Sequence, residues 1–239
     1  MSTPLNAPSI PACGHRFNRR EHMFITYETD WDALRAVVPE PLELVDRPLV
    51  RFEVMSMPDT TGYGAYYECG QAIPVAFQGE EGEYLHLMVL DGFGPMAGGR
   101  EAHGYPKKPG YPKLFVDGET LVGTCDIGPS RQRIATATMT YKYWPMDEAE
   151  ARRQIGSPTF MLKLQPYYDG TPRIAEIIRA QTTDMEILEA WTGEARLDLR
   201  AHVFAPLADL PVRRIVSCAH ILTNLTLGQP VCVHDYLKK

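Results

Sequence analysis

Arg133 to Tyr143 reads RIATATMTYKY. Successive side chains of an extended chain alternate between two faces. Ala135, Ala137, Met139, Tyr141 and Tyr143 therefore share one side, and Thr136, Thr138, Thr140 and Lys142 share the other. A small apolar face backed by a threonine face is the pattern of a half-buried strand. RLDLRAHV repeats it, with Leu197, Leu199, Ala201 and Val203 opposing Arg196, Asp198, Arg200 and His202. FVDGETLV places Asp117-Gly118 between apolar flanks, which signals a hairpin turn. Working outward, MFITYET (Met23–Thr29), PLVRFEVMSM (Pro48–Met57), QAIPVAF (Gln71–Phe77) and EYLHLMVLD (Glu83–Asp91) read as further strands separated by glycine and proline. The last is apolar on both faces, as a strand covered on both sides would be.

Helices are few. Asp30 is placed to cap WDALRAVV, which Pro39 ends. DEAEARRQI is the clearest helix: Asp147 caps it, Glu150 completes a capping box, Glu148 and Arg152 pair at i,i+4, and Gly156 ends it. LPVRRIVSCAHIL (Leu210–Leu222) also reads as helix. No repeat or linker divides the chain. The expectation is one α+β domain over residues 1–239, mostly antiparallel sheet curled into a barrel with a few peripheral helices. Residues 1–16, with Pro4, Pro8 and Pro11, read as an extended N-terminal arm.

Composition narrows the functional classes. The net charge of −6 and the lack of any basic block argue against nucleic-acid or anionic-membrane partners. No stretch approaches the roughly 18 apolar residues of a membrane span, and no secretory leader is legible. Cys13, Cys69, Cys125, Cys218 and Cys232 are scattered and odd in number, which suits reduced thiols in a cytoplasmic protein. His15, His22, His86, His103, His202, His220 and His234 form neither HxH nor HExxH, so no metal site is expected. GxGxxG and GxSxG are absent, so neither a bound dinucleotide nor a hydrolase elbow is indicated, and no cofactor is expected. The Gly- and Met-rich run from Gly92 to Gly99 is a candidate for the pocket lining, with no individual residue placed by the sequence alone.

GYPKKPGYPKL (Gly104–Leu114) stands apart. A rigid, solvated basic loop is one reading of it. Alternatively, Pro106 and Pro109 hold the intervening pair extended, so that Lys107 and Lys108 point to opposite faces. A lysine of ordinary pKa, about 10.4, is less than about one part in a thousand free amine at neutral pH. Enclosure in apolar surroundings disfavours the ammonium form and frees the amine for imine chemistry. The local pattern permits such a lysine without demanding it.

The chain resembles the acetoacetate decarboxylase family from about Arg20 to the C-terminus. The stretches that carry the likeness are PLVRFEVMSMPDTTGYGAYYECGQAIPV, YLHLMVLD, GREAHGYPKKPGYPKLFVDGETLVGT, ATATMTYK, YDGTPRIAEI, EAWTG and HDYLKK. The resemblance implies a Schiff base on Lys107, with Glu68 and Arg20 as the other catalytic groups and Glu53, Lys108 and Tyr105 about the substrate pocket. Arg19 competes with Arg20 for the arginine role because the pair is doubled in NRRE. The implied activity is decarboxylation of acetoacetate, or a similar small β-keto acid, to acetone and CO2 by a large homo-oligomer without a cofactor. Two alternatives stay open: a Schiff-base aldolase or dehydratase acting on a larger oxo acid, and a non-catalytic barrel that binds a small acid. Pro109 follows the lysines where the family often carries an aliphatic residue, and EAHG before them also departs, which leaves substrate size open.

Overall fold

A computed structural model describes residues 4–11 and 14–238, so Cys13 and the first residues of the arm lie outside the described residues. The chain is built mainly of strands. The N-terminal half supplies β1 (Arg16–Glu28), β2 (Glu43–Leu44), β3 (Leu49–Thr60), β4 (Gly64–Phe77), β5 (Glu80–Leu90) and β6 (Lys107–Pro109). A hairpin and its neighbour follow as β7 (Tyr111–Asp117), β8 (Thr120–Ile127) and β9 (Gln132–Thr140), then β10 (Trp144–Pro145). The C-terminal part supplies β11 (Thr159–Pro166), β12 (Pro172–Ala180), β13 (Thr182–Thr192), β14 (Ala195–Leu199), β15 (Arg214–Leu227) and β16 (Val231–Asp235). Helices α1 (Trp31–Val37), α2 (Phe93–Gly98) and α3 (Glu148–Gly156) are short.

The large sheet runs β10-β13-β15-β1-β3-β4-β5-β11-β12-β16, with β2 on β4 and β6 on β5. A smaller sheet runs β14-β9-β8-β7. Neither closes on itself among the described residues, so the expected barrel is corrected to two packed open sheets. The short β10 and β16 end the large sheet without meeting.

Alternation along β1 and β3 explains the layering. Met23, Ile25 and Tyr27 of β1, and Val50, Phe52 and Val54 of β3, face the small sheet. There they meet Leu121, Cys125, Ala135, Ala137 and Met139 in the main core. The opposite face carries Phe24, Met55, Tyr66 and Leu90, covered by Ala151 and Ile155 of α3. The central strands are thus buried on both sides, which is why β5 reads as apolar throughout.

Several expectations are met in detail. The β7–β8 hairpin pairs Asp117 with Thr120, so Gly118 (φ +56°) and Glu119 form its turn. Asp147 accepts a hydrogen bond from the Glu150 N–H at 3.1 Å, and Glu148 pairs with Arg152 at 2.8 Å. The Glu150 carboxylate takes Arg153 and Gln154 rather than closing the box.

Others are corrected. Asp30 makes no cap hydrogen bond, because its carboxylate is gripped by Arg213. β9 ends at Thr140, and Lys142 turns the chain with φ +49°, which leaves Tyr143 exposed. RLDLRAHV is a strand only to Leu199, and Val203 stands in solvent. The expected C-terminal helix is instead β15, seated between β1 and β13. Pairing on both edges outweighs local propensity there, and burial of both faces hides the period of two.

Candidate active site

Register brings the chemically capable residues to one face of the large sheet. Across β1 and β3, His22 is opposite Met55 and Phe24 is opposite Glu53. Across β3 and β4, Met55 is opposite Glu68 and Glu53 is opposite Gly70. Met88 of β5 faces Gly70 on one side and Lys107 of β6 on the other. A cavity of about 110 Å³ opens on this face, and Arg20, Glu53, Glu68, Tyr105 and Lys107 all line it.

Lys107 is 6% exposed. Its Nζ donates to Glu68 Oε2 at 3.3 Å and to the Pro95 carbonyl at 3.4 Å, with the Tyr105 ring 5.2 Å away. The approach to this strand is a π-helical turn, Gly99–His103, continuing directly from α2. Such turns are rare and recur at functional sites. Arg100 of the turn donates to the Lys107 carbonyl at 2.7 Å, fixing the backbone beneath the amine. Gly99 fixes the path of the side chain. A Cβ placed there would lie 2.7 Å from Lys107 Cδ and 2.8 Å from Cε, so only glycine leaves room for the stem.

Lys108 leaves on the other side of the strand. Its Nζ donates to the Phe204 carbonyl at 2.5 Å and sits 4.3 Å from the Phe204 ring centre. It does not line the cavity, so its assignment to the substrate pocket is corrected. The opposed geometry expected from the flanking prolines is what the structure has.

The arginine doublet is resolved by a bulge. The β1–β15 register shifts between Phe17 and Arg20, and Arg19 takes φ +54° with its N–H on Asn224 Oδ1. Arg19 is thereby exposed, whereas Arg20 turns into the cavity. Arg20 Nη2 reaches Met55 Sδ at 2.8 Å, and the guanidinium lies 4.9 Å from the Phe17 ring. Its Nε and Glu68 Oε1 are buried without hydrogen-bond partners among the described residues. No carboxylate pairs with Arg20 among those residues, so the Arg20–Glu68 couple is not a structural ion pair.

Behind this group sits a second one. Arg51 Nη2 lies 3.5 Å from Glu53 Oε2 and 2.5 Å from Glu83 Oε2, and the guanidinium stacks 4.3 Å from Phe24. Burial raises the Glu53 carboxyl above its usual range against the pull of Arg51 and Arg20. Burial likewise pushes Glu83 up from 4.5 to about 7, with Arg51 opposing. Desolvation also holds His22 and His103 below their usual range, and it pushes Tyr105 up to about 12. The cavity therefore disfavours charge, and each charge it retains has a specific neighbour.

The profile of the family described as acetoacetate decarboxylase (ADC) matches residues 2–237. The chain belongs to the acetoacetate decarboxylase family. A relative named acetoacetate decarboxylase from Clostridium botulinum is 59% identical over 239 residues, covering 100% of this chain and 96% of that protein. One of the same name from Clostridium beijerinckii is 60% identical over 237 residues, covering 99% and 95%. A solved structure described as structural studies of acetoacetate decarboxylase superposes with a TM-score of 0.96 at 56% identity, covering 100% of this chain and 96% of that one. The two open sheets and the buried Lys107 are thus an acetoacetate decarboxylase fold.

Sequence reasoning missed Arg51 and Glu83, and it marked the Gly92–Gly99 run for the pocket without placing the Pro95 carbonyl or Gly99 in it. Arg51 had a signal, since it stands two residues before Glu53 and must share its face. The particular roles of Pro95 and Gly99 had none, because they arise from the fold-back of α2 onto β6.

Two outcomes follow from this geometry. Gly99→Ala should push the Lys107 stem aside and lower kcat/KM on the order of 100-fold, the scale of a 1 Å misplacement, while far-UV circular dichroism stays unchanged. Glu83 has a folded-state pKa above its unfolded one, so its stabilising contribution is full below 4.5 and is lost as pH rises through about 7. Thermal unfolding should show the wild type losing stability relative to Glu83→Gln across that window.

Proposed function

We propose that the chain decarboxylates acetoacetate, or a similarly small β-keto acid, to acetone and CO2 through a Schiff base on Lys107. The observation that carries this reading is the buried Lys107 amine set against Glu68 in the same cavity as an arginine with no carboxylate partner among the described residues. A β-keto acid sheds CO2 slowly because the departing electron pair lands on a poor acceptor; a protonated imine accepts it readily.

The Lys107 Nζ attacks the ketone carbon, and water is lost to form the iminium. The bond to the carboxyl carbon then breaks, its electrons form the enamine, and CO2 leaves. Glu68 delivers a proton to the enamine carbon, and hydrolysis of the new iminium releases acetone and the free lysine. Arg20 suits the substrate carboxylate, since a guanidinium offers paired donors and Arg20 Nε has no other partner. Its hold on the anion must be relinquished as CO2 forms.

This reading supplies the remaining assignments. The whole of 1–239 acts as one domain. Cys69, Cys125, Cys218 and Cys232, all free thiols, support a reducing cytoplasm. Exposed Tyr168, Val203 and Phe204 supply apolar surface for a homo-oligomer.

Incubation with acetoacetate, borohydride reduction and peptide mass mapping should place the adduct on Lys107, with CO2 released in parallel without borohydride. No adduct and no CO2 would refute the decarboxylase reading, and an adduct without CO2 would favour the aldolase alternative. Lys108→Met should retain the adduct and leave the acid limb of kcat/KM in place. Displacement of that limb by several pH units would make proximity of the second ammonium, rather than desolvation, the activating cause.

A further inference from the structure

Loss of CO2 from a β-keto carboxylate consumes one proton per turnover, because the carbon that held the carboxylate ends as C–H. Lys107 and Glu68 are both buried, so that proton has to be carried inward to them, and the side chains lining the cavity offer a route besides cavity water. The Arg51 group lies on the side of the cavity lined by Gln154, Ser157, Gln181 and Thr182, of which Gln181 is exposed. Arg51 Nη1 donates to the Gln154 carbonyl at 3.2 Å, and the Glu83 N–H donates to the Pro158 carbonyl at 2.8 Å. Glu83 and Glu53 share the Arg51 Nη2 nitrogen, and Glu53 and Glu68 are diagonal neighbours on β3 and β4. Side-chain exposure falls from 11% at Glu83 to 6% at Glu53 and 3% at Glu68, a descending row of carboxyls from rim to amine.

We propose that Glu83, acting with Arg51 and Glu53, takes up a proton from solvent and reloads Glu68 after each turnover. This rests on the decarboxylase reading above. When Glu68 gives its proton to the enamine carbon, its O–H bond breaks, a C–H bond forms and a carboxylate is left. Glu53 reprotonates it across the cavity floor, Glu83 reprotonates Glu53 alongside Arg51, and water at the rim reprotonates Glu83. Water lost in forming the imine is returned in its hydrolysis, so the balance is one proton in and one CO2 out. Arg51 holds the two acids together and compensates whichever of them is ionised. Arg51 and Glu53 are the charged groups that face Glu83 from β3; β11 contributes the uncharged Thr159 opposite Glu83, and His22 of β1 is occupied with Thr223. The raised affinity of both Glu53 and Glu83 for protons suits carriers that must be loaded near neutral pH.

Single-turnover CO2 release, steady-state turnover and exchange of acetone methyl protons in D2O together test the relay. In Glu83→Gln, Lys107 should still be trapped by borohydride, and first-turnover CO2 release should match the wild type. Steady-state kcat and methyl exchange should fall together by about 100-fold, and Glu83→Asp should restore most of both. Arg51→Lys gives a second route should Glu83→Gln fail to fold. It keeps the charge but loses the planar guanidinium that reaches both acids through Nη2 while Nη1 holds the Gln154 carbonyl, and exchange should drop about 10-fold with trapping intact. Exchange within twofold of wild type in the variants that fold, or first-turnover CO2 falling by the same factor as kcat, would overturn the relay. Failure to trap Lys107 in the wild type would instead overturn the decarboxylase reading beneath it.

Discussion

The large sheet has no solvent-facing side at its centre, and this constraint governs everything built upon it. One face of β1 and β3 is sealed by the small sheet, and the other is covered by α3 and the chain around α2. A charged residue on the second face cannot reach bulk water by rotating a side chain, so it must find a partner or be neutralised. Arg51 is held between Glu53 and Glu83, and Lys107 between Glu68 and a carbonyl. Arg20 has no carboxylate partner among the described residues.

Strand content was largely legible, because alternation in RIATATMT and the Asp117-Gly118 turn are local signals with local causes. The failures share a different cause. β15 has apolar residues on both faces because both are buried, so its period of two is invisible, and only its neighbours β1 and β13 identify it as a strand. Closure of the sheet was likewise beyond reach, since it depends on whether two short edges meet. The Asp30 cap failed because Arg213, far along the chain, competes for the carboxylate.

The site was legible where parity along a strand decides it. Proline-flanked extension implied that Lys107 and Lys108 diverge, and they do. Choice between Arg19 and Arg20 required the bulge, which nothing in NRRE announces. Arg51 was within reach of the same parity argument that governs Glu53. The Gly92–Gly99 run was within reach as pocket lining, but the particular roles of Gly99 and Pro95 were not, because a missing side chain and a backbone carbonyl leave no chemical mark in the sequence.

The seat of Lys107 on Gly99 also bears on entropy. Lysine has one of the most mobile side chains, and immobilising it costs about 1.5–2 kcal/mol in lost rotamers. Here the stem is pressed against a glycine backbone, its carbonyl is fixed by Arg100 and its outward neighbour is tethered at Phe204. That ordering is therefore completed once, as the chain folds. An amine on a long flexible arm is thus held as though the arm were short and rigid.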